Sequence, residues 1–381
     1  NTYKAAISYY PNPDFQVRAS YNKAMRSPAI NELYQRRSQG WPIVDDPCTD
    51  GRPLKEVGAG SLTVPESVWS HAIEPTPELA AACIATGVPE QNLYNPMYRE
   101  FNGITTDFGG QSSLESEDAK TFSFGIVWTP YLIDGLSVSA DYFRVEIENY
   151  IALSPVQPYQ LMQACYESAL GQGGPGSVAC NAIERDSDGR LQSMFVGYEN
   201  LGLHELAGWD LNLSYGVELF SGYLDLNYFA TKIITRTIED DSFGQIKYEC
   251  KGIFNGDCDN IIDYPVPDFK HRMTANWSRD KLDLQLVWKH ISSLEDGNSY
   301  TVFHTEKLDS YSIFDLSGRY AINDSWSITL GVKNLFDEEP QPIGSNSWED
   351  RNTRIGVSTN TYTQFYDVIG RTAFLKLSSV F

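Results

Sequence analysis

Hydrophobic and polar residues alternate along much of the chain, a pattern that predicts β-strands with one apolar face. In one segment, every second position is apolar: Trp209, Leu211, Leu213, Tyr215, Val217 and Leu219. The positions between them are polar or small. Side chains of a strand point alternately to its two faces, so a period of two indicates half-buried antiparallel strands. The segments 282–289 and 15–22 show the same alternation.

Eleven strands are predicted from this pattern, at about 3–10, 15–24, 119–129, 136–149, 191–219, 223–236, 269–278, 282–292, 308–321, 326–336 and 362–381. Short turns and long loops alternate between them. The long loops are 25–118, 150–190, 237–268, 293–307 and 337–361. A soluble sandwich has no reason to place every long loop at one end. A transmembrane β-barrel does, since it has short periplasmic turns and long extracellular loops. The predicted fold class is therefore all-β, a transmembrane antiparallel β-barrel.

The charges separate in the same way as the loops. The chain has 29 basic and 50 acidic residues, a net charge of −21, which argues against direct binding to nucleic-acid phosphate. The long loops contain 34 acidic and 13 basic residues, whereas the rest of the chain contains 16 of each. A barrel accounts for this, because charge facing lipid is costly. Loops that are acidic only for solubility remain an alternative, although that alternative does not explain the order of turns and loops.

Aromatic residues near the predicted strand ends also favour a membrane. They resemble the girdles that flank the apolar band of such barrels, and they are Tyr9, Tyr10, Tyr21, Trp128, Tyr131, Trp277, Trp288, Tyr320 and Trp326. The longest apolar run, Leu79 to Ala85, is too short for a transmembrane helix. The barrel interpretation therefore rests on strands alone.

All six cysteines lie in the long loops, and an even number in exposed loops predicts disulfides in an oxidising compartment. Sequence proximity favours the pairs Cys48–Cys83, Cys165–Cys180 and Cys250–Cys258, out of fifteen possible pairings. No Cys-x-x-Cys pair is present and the histidines are scattered, so we expect no metal site and no cofactor.

Motifs of catalysis are missing from the sequence. It has no His-Glu-x-x-His, no Gly-x-Ser-x-Gly and no phosphate-binding glycine loop, so we expect that the protein is not an enzyme. The stretches 186–189 and 257–260 carry aspartates that could bind calcium, but neither completes an EF-hand loop. Turn formation is the preferred role for both.

Four stretches go beyond a generic barrel. Residues 20–34 (SYNKAMRSPAINELY) resemble the strand and loop motif of TonB-dependent outer-membrane receptors, with an Arg-x-Pro turn and a Glu-Leu-Tyr. Residues 331–337 (GVKNLFD) are similar to the penultimate strand of that family, and 370–381 to its last strand with a terminal Phe. Residues 198–211 are similar to its Asn-x-Gly and Gly-x-Asp strand. The four matches follow the order of the family and span nearly the whole chain.

The resemblance implies a 22-stranded barrel whose lumen holds an N-terminal plug domain. With about eleven strands, residues 1–381 then correspond to the C-terminal part of the barrel, and the plug and the first half belong to the same or a separate chain. The implied function is TonB-coupled active uptake of a scarce solute, such as a siderophore, cobalamin or a saccharide. The implied location is the outer membrane of a Gram-negative bacterium, where the loops capture ligand and the plug contacts TonB.

The resemblance also assigns roles to individual residues. Phe381, with Leu377 and Leu375 on its face, is the implied signal for barrel assembly, although Ser379 departs from the apolar residue usual there. Structural roles at the strand exit are implied for Arg26, Pro28 and Glu32. The loop aromatics that are candidates for contact with ligand are Trp41, Trp69, Tyr94, Tyr98 and Trp348, although packing within a folded loop is the preferred role for any one of them.

Two other classes of protein remain open. One is a passive porin-like or structural outer-membrane barrel, or one subunit of a split barrel. An upstream plug sequence would distinguish the receptor from a porin, since porins lack a plug. The other is a soluble β-sandwich hydrolase, which would need catalytic residues that the sequence does not show.

Overall fold

The computed structural model describes residues 1–41, 46–49, 76–95, 104–153, 161–162, 165–166, 176–240, 246–254, 265–297, 305–343, 361–363 and 365–380. In chain order, its strands and helices are β1 (Tyr3–Asn12), β2 (Phe15–Arg26), α1 (Ile30–Tyr34), β3 (Ser38–Gly40), α2 (Pro77–Ala85), a 3-10 turn (Glu90–Asn92), β4 (Thr105–Gly109), β5 (Glu117–Trp128), β6 (Leu136–Glu148), β7 (Ile151–Leu153), α3 (Val178–Asn181), β8 (Ile183–Arg185), β9 (Leu191–Asn200), β10 (Leu203–Leu219), β11 (Gly222–Asp240), β12 (Ile246–Glu249), β13 (Ile253–Phe254), β14 (Phe269–Arg279), β15 (Leu282–Ile291), β16 (Leu294–Asp296), β17 (Lys307–Leu308), β18 (Tyr311–Ala321), β19 (Trp326–Lys333) and β20 (Thr372–Ser379). Among the described helices, none has the length and apolar character needed to cross a membrane.

One large antiparallel sheet contains twelve of these strands. Its order is β1-β2-β5-β6-β10-β11-β14-β15-β18-β19-β20, with β12 paired to β11. Each strand of the path thus pairs with the next long strand along the chain, as in a meander. The eleven strands of this path include a counterpart of every predicted strand, and the predicted all-β antiparallel fold is confirmed.

Polar and apolar side chains lie on opposite faces of this sheet. In β15, Leu286 lies opposite Ala275 and Leu316, whereas its neighbour Gln285 lies opposite Ser317. We call the two sides the apolar face and the polar face. Residues that pair across neighbouring strands lie on the same face. The register therefore places the apolar positions of neighbouring strands on one face and their polar positions on the other.

An ion pair on the polar face depends on a glycine in the strand between its partners. The Arg18 guanidinium in β2 donates to both oxygens of Asp141 in β6, over 2.8 and 2.6 Å. Gly125 in β5 lies between them, and a Cβ there would fall 1.9 Å from Asp141 Oδ1. Any side chain at Gly125 would therefore displace the pair.

Tight turns close the sheet at one end. Phe220 and Ser221 join β10 to β11, and both have positive φ angles, of 53° and 58°. Two consecutive left-handed residues form the type I′ turn, whose twist matches that of the flanking strands. The long loops leave from the opposite end, as the sequence predicts.

The prediction of a single strand over 191–219 is wrong, because β9 ends at Asn200 and β10 begins at Leu203. The Asn200 side chain holds the chain at this break. Its Oδ1 accepts from the Glu115 amide at 2.8 Å, and its Nδ2 donates to the carbonyls of Glu115 and Asn149, both at 3.0 Å. These bonds tie together three segments at the end of the large sheet, and β9 belongs to a different sheet, in which it pairs with β4, β7 and β8.

The last predicted strand, 362–381, is too long. β20 covers only Thr372–Ser379, and Tyr362 and Tyr366 are instead buried in a cluster of loops. The apolar residues at the start of the predicted strand thus pack within the loops rather than in the sheet.

The residues of the Arg-x-Pro motif form a clamp where β2 ends. Arg26 donates to Glu117 over 2.5 and 2.8 Å and to both carboxylate oxygens of Glu32 at 3.0 Å. Glu32 also accepts from the Ala29 amide at 2.6 Å, which caps α1. Glu117 is 5% exposed and accepts from the Ile151 amide. The structural role expected for Arg26 and Glu32 agrees with these contacts.

Asn334 forms a second clamp, at the end of β19. It is fully buried and has a φ angle of 49°, which ends the strand. Its Nδ2 donates to the Glu338 carbonyl at 2.8 Å, its Oδ1 accepts from the Glu338 amide at 2.9 Å, and its own amide donates to Asp315. The conformation and the two side-chain bonds explain why this position suits asparagine.

We expect Asn334→Ala to destabilise the natural protein by about 2–4 kcal/mol, because it leaves the Glu338 backbone unpaired and places alanine in a left-handed conformation. The measurement is the free energy of unfolding in lipid vesicles, with hydrogen exchange of residues 334–341 as a local readout. The control is Asn323→Ala, which removes a similar side-chain cap from an exposed turn. Equal losses in the two variants would contradict the role assigned to Asn334.

Candidate ligand-capture site

The first two long loops fold together into one small domain. Strand β4 of the first loop pairs in parallel with β9 of the second, so that Gly109 lies opposite Gly197. Strands β3, β7 and β8 complete a five-stranded sheet. We call the described residues of 30–109 and 151–200 the cap module. Because β9 leads into β10 after two residues, the module is attached closely to the large sheet.

The helix α2 of the cap module has clear start signals in its sequence. Thr76 precedes it and accepts from the Leu79 amide at 3.1 Å, and Pro77 occupies the first helical position. Both features are typical of helix N-termini. The helix then buries Leu79 and Cys83 against the rest of the module.

Two disulfides stabilise the cap module, and each joins two cysteines of the same loop. Among the described residues, the bridges are those that sequence proximity favours, Cys48–Cys83 and Cys165–Cys180. Cys250 is also disulfide-bonded, and Cys258 lies outside the described residues. The two bridges belong to a core formed from both loops: Cys48, Leu79, Cys83, Val88, Ile104, Leu161, Met162, Cys165, Tyr166, Ala179, Cys180, Leu191 and Met194.

A buried ion pair joins the two loops inside this module. The Arg185 guanidinium donates to both oxygens of Asp46, at 2.5 and 2.8 Å, and both side chains are almost completely buried. Arg185 also donates to the Gly189 carbonyl and to the Tyr166 hydroxyl, each at 2.9 Å. Tyr166 is in turn hydrogen-bonded to Thr86. Buried pairs of this kind tolerate the loss of one partner badly, so the network ties the loops into one body.

Protonation within this network follows from burial and pairing. Burial alone lowers the pKa of Arg185, but its hydrogen bonds and attraction to Asp46 raise that pKa above its usual value. Burial raises the pKa of Tyr166. Arg185 therefore stays charged and Tyr166 neutral at physiological pH. The sequence offers no signal for this network, since its two charged members lie 139 residues apart.

The later loops form a separate cluster over the polar face of the large sheet. Tyr311 and Ile313 of β18 lie on that face, in register with Ile291 and Lys289 of β15, and both are buried. The side chains that form the cluster with them are Phe254, Leu294, Leu308, Tyr362 and Tyr366. We call these seven residues the loop cluster. Loops therefore cover one end of the polar face.

The aromatic residues predicted to contact ligand fall in different places. Trp41 is 63% exposed, so its ring is accessible to a ligand. Tyr94 instead packs against the core of the cap module, where its buried hydroxyl has no hydrogen-bond partner among the described residues. Trp69, Tyr98 and Trp348 lie outside the described residues. The two described aromatics, Trp41 and Tyr94, thus have different surroundings, and the role of all five in binding remains a prediction.

The predicted assembly signal lies at the last strand of the sheet. Leu375 and Leu377 are 66% and 56% exposed on the apolar face of β20, opposite Leu330 and Ile328 of β19. Phe381 lies outside the described residues. The two leucines are thus accessible at an edge of the sheet, and the role of all three remains a prediction.

The aspartates of 186–189 form a turn. Asp186 Oδ1 accepts from the amides of Asp188 and Arg190, both at 2.9 Å. Within the described part of the chain, no group of three or more histidine, cysteine or acidic side chains is arranged to hold a metal ion.

Comparison with protein families identifies the class of protein. Residues 1–335 match the family described as TonB dependent receptor-like, beta-barrel, and the chain belongs to this family. It is a family of outer-membrane transporters rather than enzymes. No curated protein sequence matches the chain.

Solved structures share the fold. The ferric enterobactin receptor PfeA of Pseudomonas aeruginosa is 16% identical, with a TM-score of 0.57 over 100% of this chain and 40% of that protein. The siderophore receptor PirA of Acinetobacter baumannii is 15% identical, with a TM-score of 0.53 over 100% of this chain and 41% of that protein. The chain thus spans about two fifths of the length of these proteins. At such identities the likeness concerns the fold alone.

We expect the loop cluster to open in alkali. Burial raises the pKa of Tyr366 to about 12, from the usual value of about 10. A phenol whose pKa is raised by folding stabilises the fold below pH ~10, and this contribution is lost as pH rises through the folded pKa. Tyr366→Phe should therefore keep the cluster closed to higher pH, which near-ultraviolet circular dichroism during a pH titration would show.

At neutral pH this substitution should cost little, because the buried Tyr366 hydroxyl has no hydrogen-bond partner among the described residues. The control is Tyr131→Phe, at a position that is 87% exposed. Wild type and Tyr366→Phe opening at the same pH would contradict the assignment.

Proposed function

We propose that this chain is the C-terminal part of the barrel of an outer-membrane receptor that takes up a scarce solute by TonB-coupled active transport. The receptor spans the outer membrane of a Gram-negative bacterium through its strands. Membership of the TonB-dependent receptor family supports this proposal. The long loops leave one end of the sheet and act as the extracellular surface that captures the solute.

The folded loops are the observation that carries the proposal. The cap module has its own core, two disulfides and a buried ion pair, and the loop cluster covers one end of the polar face of the sheet. A passive pore needs only loops that leave its channel open. Loop segments that pack together in this way, among the residues that the structure describes, suit a receptor that must hold a ligand before it is transported.

The rest of the barrel is supplied by further strands. In the large sheet, β1 and β20 stand at the two ends of the pairing order. An unpaired strand edge in lipid leaves backbone groups without partners, so both edges require neighbours. We propose that the first half of the barrel and the N-terminal plug provide them, in the same chain or in a separate one. The plug would also form the contact with the TonB complex.

The solute belongs to one of several classes, such as a siderophore, cobalamin or a saccharide. PfeA is a receptor for ferric enterobactin and PirA is a siderophore receptor. Iron chelates are therefore the first solutes to test. The proposed function includes no catalytic step and no nucleic-acid partner.

We expect uptake to depend on TonB. Cells that express the natural receptor should accumulate a labelled solute, with ferric siderophores, cobalamin and oligosaccharides tested in turn, and should stop when tonB is deleted. Diffusion through a passive barrel would continue without TonB, because it follows the concentration gradient. Uptake of a solute that is unchanged in the deletion strain would favour the porin-like alternative, and conductance measurements in planar bilayers would then characterise the pore.

The intact mass of the protein purified from outer membranes should be about twice the 42.8 kDa of this chain, because a 22-stranded barrel with a plug needs the additional strands. A mass near 42.8 kDa would mean that the plug and the first half form a separate chain. The transport proposal would then require that chain to co-purify, and its absence would contradict the proposal.

A further inference from the structure

Three basic side chains gather on the polar face of β14 and β15, close to the ends from which the long loops leave. Arg272 lies directly opposite Lys289, and Lys270 is two residues from Arg272 on the same face. Side chains that face each other across an antiparallel pair are close neighbours, and like charges there destabilise the sheet. We call Lys270, Arg272 and Lys289 the cation cluster. Because two like charges face each other, the cation cluster is unfavourable for folding. A cluster that the fold itself does not favour indicates a role in binding.

Little negative charge balances the cation cluster. Lys289 Nζ lies 3.1 Å from Asp315 Oδ2, and the other oxygen of Asp315 accepts from the Asn334 amide. Lys270 and Arg272 are exposed, and neither has an ion-pair or hydrogen-bond partner among the described residues. Among the described residues, Asp315 is therefore the carboxylate that pairs with a member of the cation cluster. The excess of positive charge here is notable in a chain whose net charge is −21.

An aromatic ring flanks the cluster on its other side. Phe229 of β11 lies opposite Arg272 across the β11–β14 pair and is 53% exposed. It shares the polar face, where exposed phenylalanine is unusual among the serine, asparagine and threonine residues around it. An accessible aromatic surface beside unpaired cations suits a ligand that has both a flat face and negative charge.

The cation cluster lies directly beneath the folded loops. Ile291 is the register partner of Lys270, and Ile313 is the register partner of Lys289. Ile313 is part of the loop cluster, and Ile291 packs against it. A solute captured outside would therefore meet these charges first as it passes below the loops.

We propose that Lys270, Arg272 and Lys289, together with Phe229, form a binding subsite for a solute that carries at least two negative charges and a planar group. The proposal rests on the proposed function in one respect, namely that the polar face lines the path of the solute. It adds the class of solute. The acidic loops outside and the basic subsite inside then have different roles, and an anion is held by the wall of the barrel rather than by the charge of the loops.

Benzene-1,3,5-tricarboxylate is a suitable probe, because it is planar and carries three carboxylates. Its binding to the natural protein in detergent would be measured by isothermal titration calorimetry at physiological salt, with the uncharged tricarboxamide as the control ligand. We expect binding of the tricarboxylate only. Arg272→Gln should weaken it by about tenfold or more, since charge-assisted hydrogen bonds are lost. Lys270→Gln should weaken it severalfold.

Lys376→Gln is the matched control variant. Lys376 is an exposed cation on the same face, in β20, and has no partner among the described residues. Its loss should change the affinity by less than about twofold, because only the general potential of the wall is altered. Equal weakening by Lys376→Gln and Arg272→Gln would overturn the proposal, as would equal binding of the tricarboxamide or no binding of the tricarboxylate.

Thermal unfolding separates binding from stability. Removal of one of two facing like charges should leave the midpoint of Arg272→Gln unchanged or raise it. A lowered midpoint would contradict the inference that the cluster is costly for the fold, and Lys270→Gln would then decide whether binding depends on the cluster. Binding that follows these expectations while uptake is independent of TonB would preserve the subsite and reject the proposed function. The reverse outcome would preserve the function and reject the subsite.

Discussion

Continuous pairing between neighbouring strands is the constraint on which the rest of this molecule depends. Once each backbone bonds to both neighbours, the register decides which side chains share a face, and a shift by one residue would exchange the two faces. The ion pair of Arg18 with Asp141 across Gly125 shows how closely side chains follow that register. The same pairing sends every long loop to one end, where the loops can pack on one another.

The sequence predicts the large sheet well because its signals are local. Alternation at 209–219 marks a strand with one apolar face, and short turns such as Phe220-Ser221 follow directly. Contacts between distant segments leave no such trace. Neither the parallel pairing of β4 with β9 nor the bond of Arg185 to Asp46 could be predicted, because their partners come together only after two loops have folded. Alternation also gives a wrong result where it continues past the end of the large sheet. It continues through Asn200, so the sequence predicts one strand where the structure has two.

The motifs that resemble the receptor family turn out to lie where strands end. The side chains of Arg26, Asn200 and Asn334 each form hydrogen bonds to segments that leave the sheet. A chain that leaves a sheet loses the partners of its backbone, and the side chains of Asn200 and Asn334 replace them. Arg26 instead pairs with the carboxylates of Glu32 and Glu117. This explains why motif recognition identifies the fold but not the solute. The candidate binding residues are less visible, since the facing of Arg272 and Lys289 depends on register rather than on any short pattern.

The two bridges of the cap module also have a consequence for the biogenesis of the protein. Each joins cysteines of a single loop, 35 and 15 residues apart, so neither has to wait for distant strands to meet. Disulfides form in the periplasm, which an outer-membrane protein crosses before it is inserted. The loops can thus be closed into compact pieces while the strands are still unpaired. For the proposed outer-membrane location, the segments carried across the bilayer would then be loops already closed by disulfides rather than open chain.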